Sequence, residues 1–103
     1  MLQVVDITVR DKYGRPVKDA EVICIKTFAF PPYQYVYRQH TQSQGACYFY
    51  VWGRLCAGHW KIEAKRYYVG SGTLEFDAPA GPWIKDVELR FNGGLYSEKT
   101  LGD

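Results

Sequence analysis

The feature that most constrains the fold is a strictly alternating segment within residues 55–68. Its apolar set is Trp60, Ile62 and Ala64, and its polar set is His59, Lys61, Glu63 and Lys65. Successive side chains of a β-strand point to opposite faces of the sheet, so this segment has one face for a core and one for water. The rest of the chain must therefore supply a second layer that covers Trp60 and its neighbours.

Six further segments have the alternation or composition of short strands, and turn signals separate them. They cover residues 3–10, 20–27, 34–41, 46–52, 69–76 and 84–91. Pro31 and Pro32 are adjacent and cannot donate to a ladder, so residues 28–33 are predicted to be a loop. Seven short strands at regular spacing predict an all-β fold, an antiparallel seven-stranded β-sandwich that is Ig-like with Greek-key connections.

Length and charge narrow the classes of partner. A chain of 103 residues forms one domain with one core. Thirteen basic residues stand against eleven acidic ones and are scattered, which predicts no nucleic-acid partner. No run of about twenty apolar residues occurs, and the first residues lack a basic flank and an apolar region. We therefore expect no membrane insertion and no export signal in this chain.

Three segments resemble, in their order and spacing, the pattern of carboxypeptidase regulatory-like domains. Residues 14–22, Gly-Arg-Pro-Val-Lys-Asp-Ala-Glu-Val, are similar to the opening G-x-P-V-x-x-A-x-V of that family. Residues 41–49 are similar to its T-x-(T/D)-x-x-G-x-(Y/F)-x-F segment. Residues 55–64, with Leu55, Gly58, Trp60, Ile62 and Ala64, followed by the tyrosines 67 and 68, are similar to L-x-x-G-x-Y-x-I-x-A. The resemblance spans residues 3–91. Two departures are Ser43-Gln44, where the family usually has Asp before the middle Gly, and a longer, more aromatic region 28–37.

The resemblance implies a prealbumin-like (transthyretin-like) sandwich over residues 1–94, with residues 95–103 as a tail or docking arm. Domains of this kind occur in secreted or surface proteins, or beside catalytic domains. A non-catalytic role at the cell surface or outside the cell is therefore expected, with a protein partner or a homo-oligomer.

The residue types needed for catalysis are sparse. Hydroxyisourate hydrolases share the transthyretin fold and end in Tyr-Arg-Gly-Ser, whereas this chain ends Leu-Tyr-Ser-Glu-Lys-Thr-Leu-Gly-Asp. His40 and His59 are the only imidazoles, and a Cys56–His59 pair lacks a third group to orient the base. We expect no catalytic residue, no cofactor and no enzyme activity.

The three cysteines give no metal-binding pattern. Cys24, Cys47 and Cys56 have no Cys-x-x-Cys spacing, so no metal site is predicted. Cys24 and Cys47 fall on inward faces and are expected to be buried thiols, although a disulfide between them stays open. Cys56 is predicted to lie in an exposed turn.

The aromatic content, 17% of the chain, indicates an exposed binding surface. With inward faces assigned by the family pattern, an apolar and aromatic set is left outside, which marks an interface with a protein or a second copy. The candidate interface residues are Ile23, Ile25, Tyr35, Tyr37, Tyr48, Tyr50 and Trp52. Two alternatives stay open: residues 28–33 cover this patch, or exposed aromatic residues such as Trp52 and Trp83 stack on carbohydrate.

Overall fold

The computed structural model describes residues 2–28, 34–52 and 57–92, which form seven strands and no helix. The strands are β1 (Leu2–Arg10), β2 (Glu21–Phe28), β3 (Gln34–His40), β4 (Ala46–Trp52), β5 (Gly58–Arg66), β6 (Gly70–Ala78) and β7 (Trp83–Arg90). Every predicted strand is confirmed to within two residues at either end. The predicted tail and most of the predicted loop at 28–33 lie outside the described residues.

The strands form two sheets that share one core. Sheet A has the order β4-β1-β7, and sheet B has the order β3-β2-β5-β6. Val5, Ile7 and Leu89 of sheet A and Trp60 and Ile62 of sheet B belong to one buried cluster. Aromatic contacts also cross between the sheets: the ring centroids of residues 60 and 83 are 5.6 Å apart, and those of residues 37 and 49 are 6.4 Å apart. The second layer required by the β5 alternation is therefore sheet A.

The prediction of an entirely antiparallel fold is wrong for one pair of strands. Four of the five ladders are antiparallel, but β1 and β7 run parallel, with Val5 opposite Lys85 and Ile7 opposite Val87. Side-chain alternation assigns faces and carries no information on direction. A parallel neighbour needs a crossover connection. β7 arrives beside β1 from β6 of the other sheet, so no hairpin forces it to be antiparallel.

Two residues of the 41–49 segment hold neighbouring parts of the chain in place: Thr41 bonds to the segment between β1 and β2, and Gly45 packs against the end of β1. The Thr41 hydroxyl donates to the Val17 carbonyl at 2.5 Å and accepts from the Ala20 N–H at 2.9 Å. Gly45 has φ 76°, and a Cβ there would meet the Val9 carbonyl oxygen at 2.6 Å. A side chain at 45 is therefore excluded by both the backbone conformation and the neighbouring strand. Gly45 therefore lies directly beside Val9, at the start of the ladder in which β4 pairs with β1.

Candidate functional site

The strongest candidate site is the outward side of β4, as the sequence predicts in part. Tyr48, Tyr50 and Trp52 point away from the core and are 56%, 58% and 73% exposed. The rings of Tyr48 and Tyr50 stack with centroids 6.4 Å apart. The inward residues of the same strand, Phe49 and Val51, are buried. This separation arises because β4 is apolar on both of its faces and only one of them meets sheet B.

Three residues that the sequence analysis missed extend this surface across sheet A. Leu2 lies opposite Trp52, Val4 lies opposite Tyr50, and Ile84 of β7 lies opposite Val4 on its other side. Ile84 is 74% exposed. We call this set the aromatic face; its members are Leu2, Val4, Tyr48, Tyr50, Trp52 and Ile84. Only the strand order β4-β1-β7 brings them together, and alternation within single strands does not contain that order.

Ile23 and Ile25 do not belong to the aromatic face. They point outward, as predicted, but from β2 in the centre of sheet B, which is the other side of the molecule. Both are half-buried, and their neighbours include charged side chains: Ile23 lies between Arg38 and Glu63. The predicted single patch is therefore two separate surfaces, because residues with the same alternation occur in different sheets.

Tyr35 and Tyr37 lie on the inward side of β3. Tyr37 pairs with the buried Cys24, and Tyr35 pairs with the buried Lys26, so both tyrosines share the face of the core residues. The Tyr37 ring packs 6.4 Å from that of Phe49. Tyr35 stays exposed because β3 is an edge strand. Neither residue is part of the aromatic face.

The backbone of β4 offers an open edge on the same side. Hydrogen bonds in an antiparallel ladder join alternate pairs. The Val9 N–H donates to the Gly45 carbonyl at 2.8 Å, so counting along the register makes Ile7–Cys47 and Val5–Phe49 bonded pairs. The hydrogen bonds on the β7 side of β1 fit this assignment. There an even-numbered residue of β1 is bonded: the Arg10 carbonyl accepts from the Phe91 N–H at 2.8 Å.

The unpaired backbone groups of β4 therefore belong to its even-numbered residues. The N–H and C=O groups of residues 46, 48, 50 and 52 point away from β1, and the Ala46 carbonyl among them already accepts from the Gln42 N–H at 2.9 Å. Among the described residues, no strand pairs with β4 there. A groove of about 360 Å³ runs beside this edge, between residues 37–39 of β3 and residues 48–52 of β4. The open edge thus has free hydrogen-bonding groups that lie beside an open groove.

Ion pairs dominate the outward face of sheet B. Glu21 Oε1 lies 3.5 Å from Arg38 Nη1 and 3.6 Å from Lys65 Nζ. His59 contacts two carboxylates of β6, with Nδ1 2.8 Å from Asp77 Oδ1 and Nε2 2.9 Å from Glu75 Oε1. These contacts, with Asp77 first and Glu75 second, raise the pKa of His59. The two contacts favour the protonated imidazole, since only that form donates from both nitrogens.

Two buried polar side chains at one end of the core, Lys26 and Gln3, also escaped the sequence analysis. Lys26 is fully buried, with Nζ 5.3 Å from the Trp60 ring centroid. The Gln3 amide donates to the carbonyls of Pro79 and Gly81 at 3.1 and 2.9 Å. Gln3 Oε1 and Trp60 Nε1 find no partner among the described residues. The alternation of β1 and β2 places Gln3 and Lys26 on inward faces, so the sequence does contain a signal for their burial.

Both described cysteines are free thiols, and Cys24 is buried as predicted, whereas Cys47 is half-buried. Burial raises the pKa of Cys24 to about 12 and that of Cys47 to about 11. They are therefore protonated and unreactive near neutral pH. Cys56, and with it the Cys56–His59 pair, lies outside the described residues.

Trp52 and Trp83, the predicted carbohydrate platforms, differ in accessibility. Trp83 is half-buried, packs against Trp60 and Phe76, and donates its indole N–H to the Pro79 carbonyl at 3.3 Å. Trp52 is open to solvent as part of the aromatic face. Only Trp52 therefore presents a free ring face.

Neither a metal cluster nor a membrane helix is found in the part of the chain that the structure describes. No group of three or more His, Cys, Asp or Glu side chains there is arranged to hold a metal ion. No helix long and apolar enough to cross a membrane occurs among these residues. A scan against models of known protein families gives no match, and a search of curated proteins gives none either.

Proposed function

We propose that this protein is a non-catalytic assembly module that associates with a second copy of itself through β4. The observation that carries the proposal is the coincidence on one strand of exposed aromatic side chains and an open backbone edge. A strand edge of this kind is a template for another strand, and natural proteins usually protect it with charges, proline or a covering element. Residues 46–52, Ala-Cys-Tyr-Phe-Tyr-Val-Trp, contain no charge and no proline.

The second copy is favoured because β4 is complementary to itself. Antiparallel pairing that uses all seven residues places Phe49 opposite Phe49 of the second copy. Tyr48 then lies opposite Tyr50, and Trp52, the largest side chain, lies opposite Ala46, the smallest. The even-numbered residues become the hydrogen-bonded pairs, which matches the unpaired groups of residues 48, 50 and 52. At Ala46 only the N–H is free, since its carbonyl accepts from Gln42. The two sheets A would join into one six-stranded sheet.

The interface would also bury the most exposed part of the aromatic face. Tyrosine and tryptophan are enriched in the centres of interfaces, where charged side chains are depleted. The net charge of +2 is small, so repulsion between copies opposes association only weakly. These features support a copy of this chain over a strongly charged partner.

We extend the proposal to the family and the connectivity of the sheets. The segments 14–22, 41–49 and 55–64 resemble those of carboxypeptidase regulatory-like domains. Thr41 and Gly45 have structural roles consistent with that resemblance. We propose a prealbumin-like, Greek-key sandwich of this type, with a location outside the cell or at its surface.

The test is the mass in solution by light scattering across a concentration series. The unmodified protein is expected to form a dimer. Tyr50→Pro removes an N–H that points to the open edge and leaves the β1 ladder intact, so it is expected to give a folded monomer. Tyr50→Thr keeps that N–H and is the matched control, which should still dimerise, although more weakly. A monomeric unmodified protein at high concentration would overturn the proposal.

A further inference from the structure

A second surface, at the far end of sheet B from the buried Lys26, has the features of a small-molecule site. The turn between β5 and β6, the segment before β2 and the end of β3 surround a groove with a volume of about 460 Å³. Tyr67 and Tyr68 line one side of it, and both are exposed. This volume is in the range of ligand pockets. We call it the tyrosine groove; its lining residues are Asp19, Glu21, His40, Lys65, Arg66, Tyr67 and Tyr68.

The backbone conformation singles out the same groove. In residues 2–28, 34–52 and 57–92, only Asp19 and Tyr68 among non-glycine residues have positive φ, at 59° and 62°, and both line the groove. Asp tolerates this conformation, but a bulky residue such as Tyr rarely adopts it. Gly or Asn would form the turn with less strain, so turn formation does not account for a tyrosine at 68. Residues held in this way cluster at ligand sites.

Hydrogen bonds fix the walls of the groove. The Asp19 N–H donates to the Thr41 carbonyl at 3.0 Å, and the Val69 N–H donates to the Arg66 carbonyl at 3.1 Å, which closes the β5–β6 turn. The Arg66 guanidinium donates to the Lys18 carbonyl across the groove. The backbone of the groove is therefore preorganised, which lowers the cost of ordering it on binding.

The charges of the groove cancel, which limits the ligand. Asp19 and Glu21 oppose Lys65 and Arg66, and they are paired at 3.9 Å (Asp19–Arg66) and 3.6 Å (Glu21–Lys65). An anion would meet two carboxylates, and a cation would meet two basic groups. A neutral ligand with many hydroxyl groups can bond to carboxylate, guanidinium and imidazole together. An exposed tyrosine ring adds a flat apolar surface with a polar tip.

We propose that the tyrosine groove binds a neutral saccharide, with Tyr68 as the stacking platform and Asp19 and Glu21 as acceptors for its hydroxyl groups. A neighbouring depression of about 310 Å³ shares Glu21 and Lys65 with the groove, so the surface accommodates more than one sugar ring. The site lies on sheet B and does not depend on association through β4. An oligosaccharide is the expected ligand.

The test is calorimetric titration with cellotetraose, chitotetraose, maltotetraose and xylotetraose, with inorganic phosphate as an anionic probe. At least one tetrasaccharide is expected to bind, with amide NMR shifts at residues 19, 21 and 68. Tyr68→Ala is expected to weaken binding at least about tenfold. Tyr13→Ala removes an exposed tyrosine of another turn and should leave binding unchanged.

Tyr68→Gly separates binding from folding. Relief of the left-handed strain is expected to raise Tm by about 4 °C while binding is lost. Failure of all four tetrasaccharides to bind, binding that survives Tyr68→Ala, or tighter binding of phosphate would each overturn the inference. Tyr50→Pro must still bind the same tetrasaccharide, since the groove is complete in one copy.

Discussion

The outward faces of sheets A and B differ sharply although the sheets share one core. Beside β4, sheet A presents exposed aromatic and aliphatic side chains and an edge without charge. Sheet B presents charged residues that pair across neighbouring strands, as Glu21 does with Lys65 and His59 with Glu75. Charges at strand edges discourage further pairing, whereas apolar faces favour it. The difference supports the proposals that sheet A is the surface for assembly and that sheet B, which is solvated, carries a ligand site.

The largest effect is expected in the core that both faces share. Trp60→Ala removes a fully buried ring between the sheets and is expected to cost about 3–5 kcal/mol of unfolding free energy. Ile84→Ala, on the aromatic face, should change it by less than about 0.5 kcal/mol. Denaturant unfolding followed by circular dichroism measures both. Similar losses for the two variants would mean that the aromatic face contributes to folding and not to assembly.

A charge placed on each face tests the comparison itself. Tyr50→Lys puts an ammonium group at the centre of the proposed pairing and is expected to weaken dimerisation at least about tenfold. Val36→Lys makes the same change at an exposed site on the outward face of β3 and should not alter the mass measured by light scattering. An equal effect of both variants would remove the distinction between the sheets.

Neutralising one carboxylate on each sheet should give a smaller difference, measured as the change in unfolding free energy. Glu21→Gln breaks the contacts with Arg38 and Lys65 and is expected to cost up to about 1 kcal/mol, less at high salt. Asp86→Asn on sheet A removes a charge that makes no ion pair with any described residue and faces Asp6 across the ladder. It should be neutral or slightly stabilising. If the loss of unfolding free energy in Glu21→Gln did not depend on salt, this would contradict an ionic role for Glu21.

The smallest effect is the pH dependence from His59. Its folded-state pKa is raised by Asp77 and Glu75 above the ordinary value near 6.5. The stabilisation is therefore fully present below the unfolded-state pKa and is lost as pH rises through the folded-state pKa. NMR titration of the imidazole measures the shift, and His59→Gln should remove this part of the pH dependence. A His59 pKa below 6.5 would contradict the paired geometry.

The sequence predicts the strands well and their neighbours poorly. Alternation at Val5, Ile7 and Val9 is enough to assign β1 and its inward face, because the period is a property of one strand. It cannot show that β1 lies between β4 and β7. For that reason alternation groups Ile23 and Ile25 with the tyrosines of β4, although they lie in different sheets, and does not predict the parallel β1–β7 ladder.

The same limit applies to the candidate sites. The contact between His59 and Asp77 joins residues 18 positions apart and depends on the β5–β6 register. The left-handed backbone of Tyr68 is equally hidden, since a tyrosine gives no turn signal. Lys26 follows the inward period of β2 but contradicts the general rule that lysine stays exposed.

Disulfide mapping of the β4 pairing tests the central claim most directly. In a Cys56→Ser background, Tyr48→Cys and Tyr50→Cys chains are prepared separately and then mixed, and light scattering confirms that the mixture is dimeric. Residues 48 and 50 of two copies would form a hydrogen-bonded pair, with Cα atoms about 5.5 Å apart, which suits a disulfide. The account predicts a covalent dimer on oxidation of the mixture and little from either chain alone. A dimeric mixture that fails to cross-link, or equal cross-linking of one chain with itself, would contradict it.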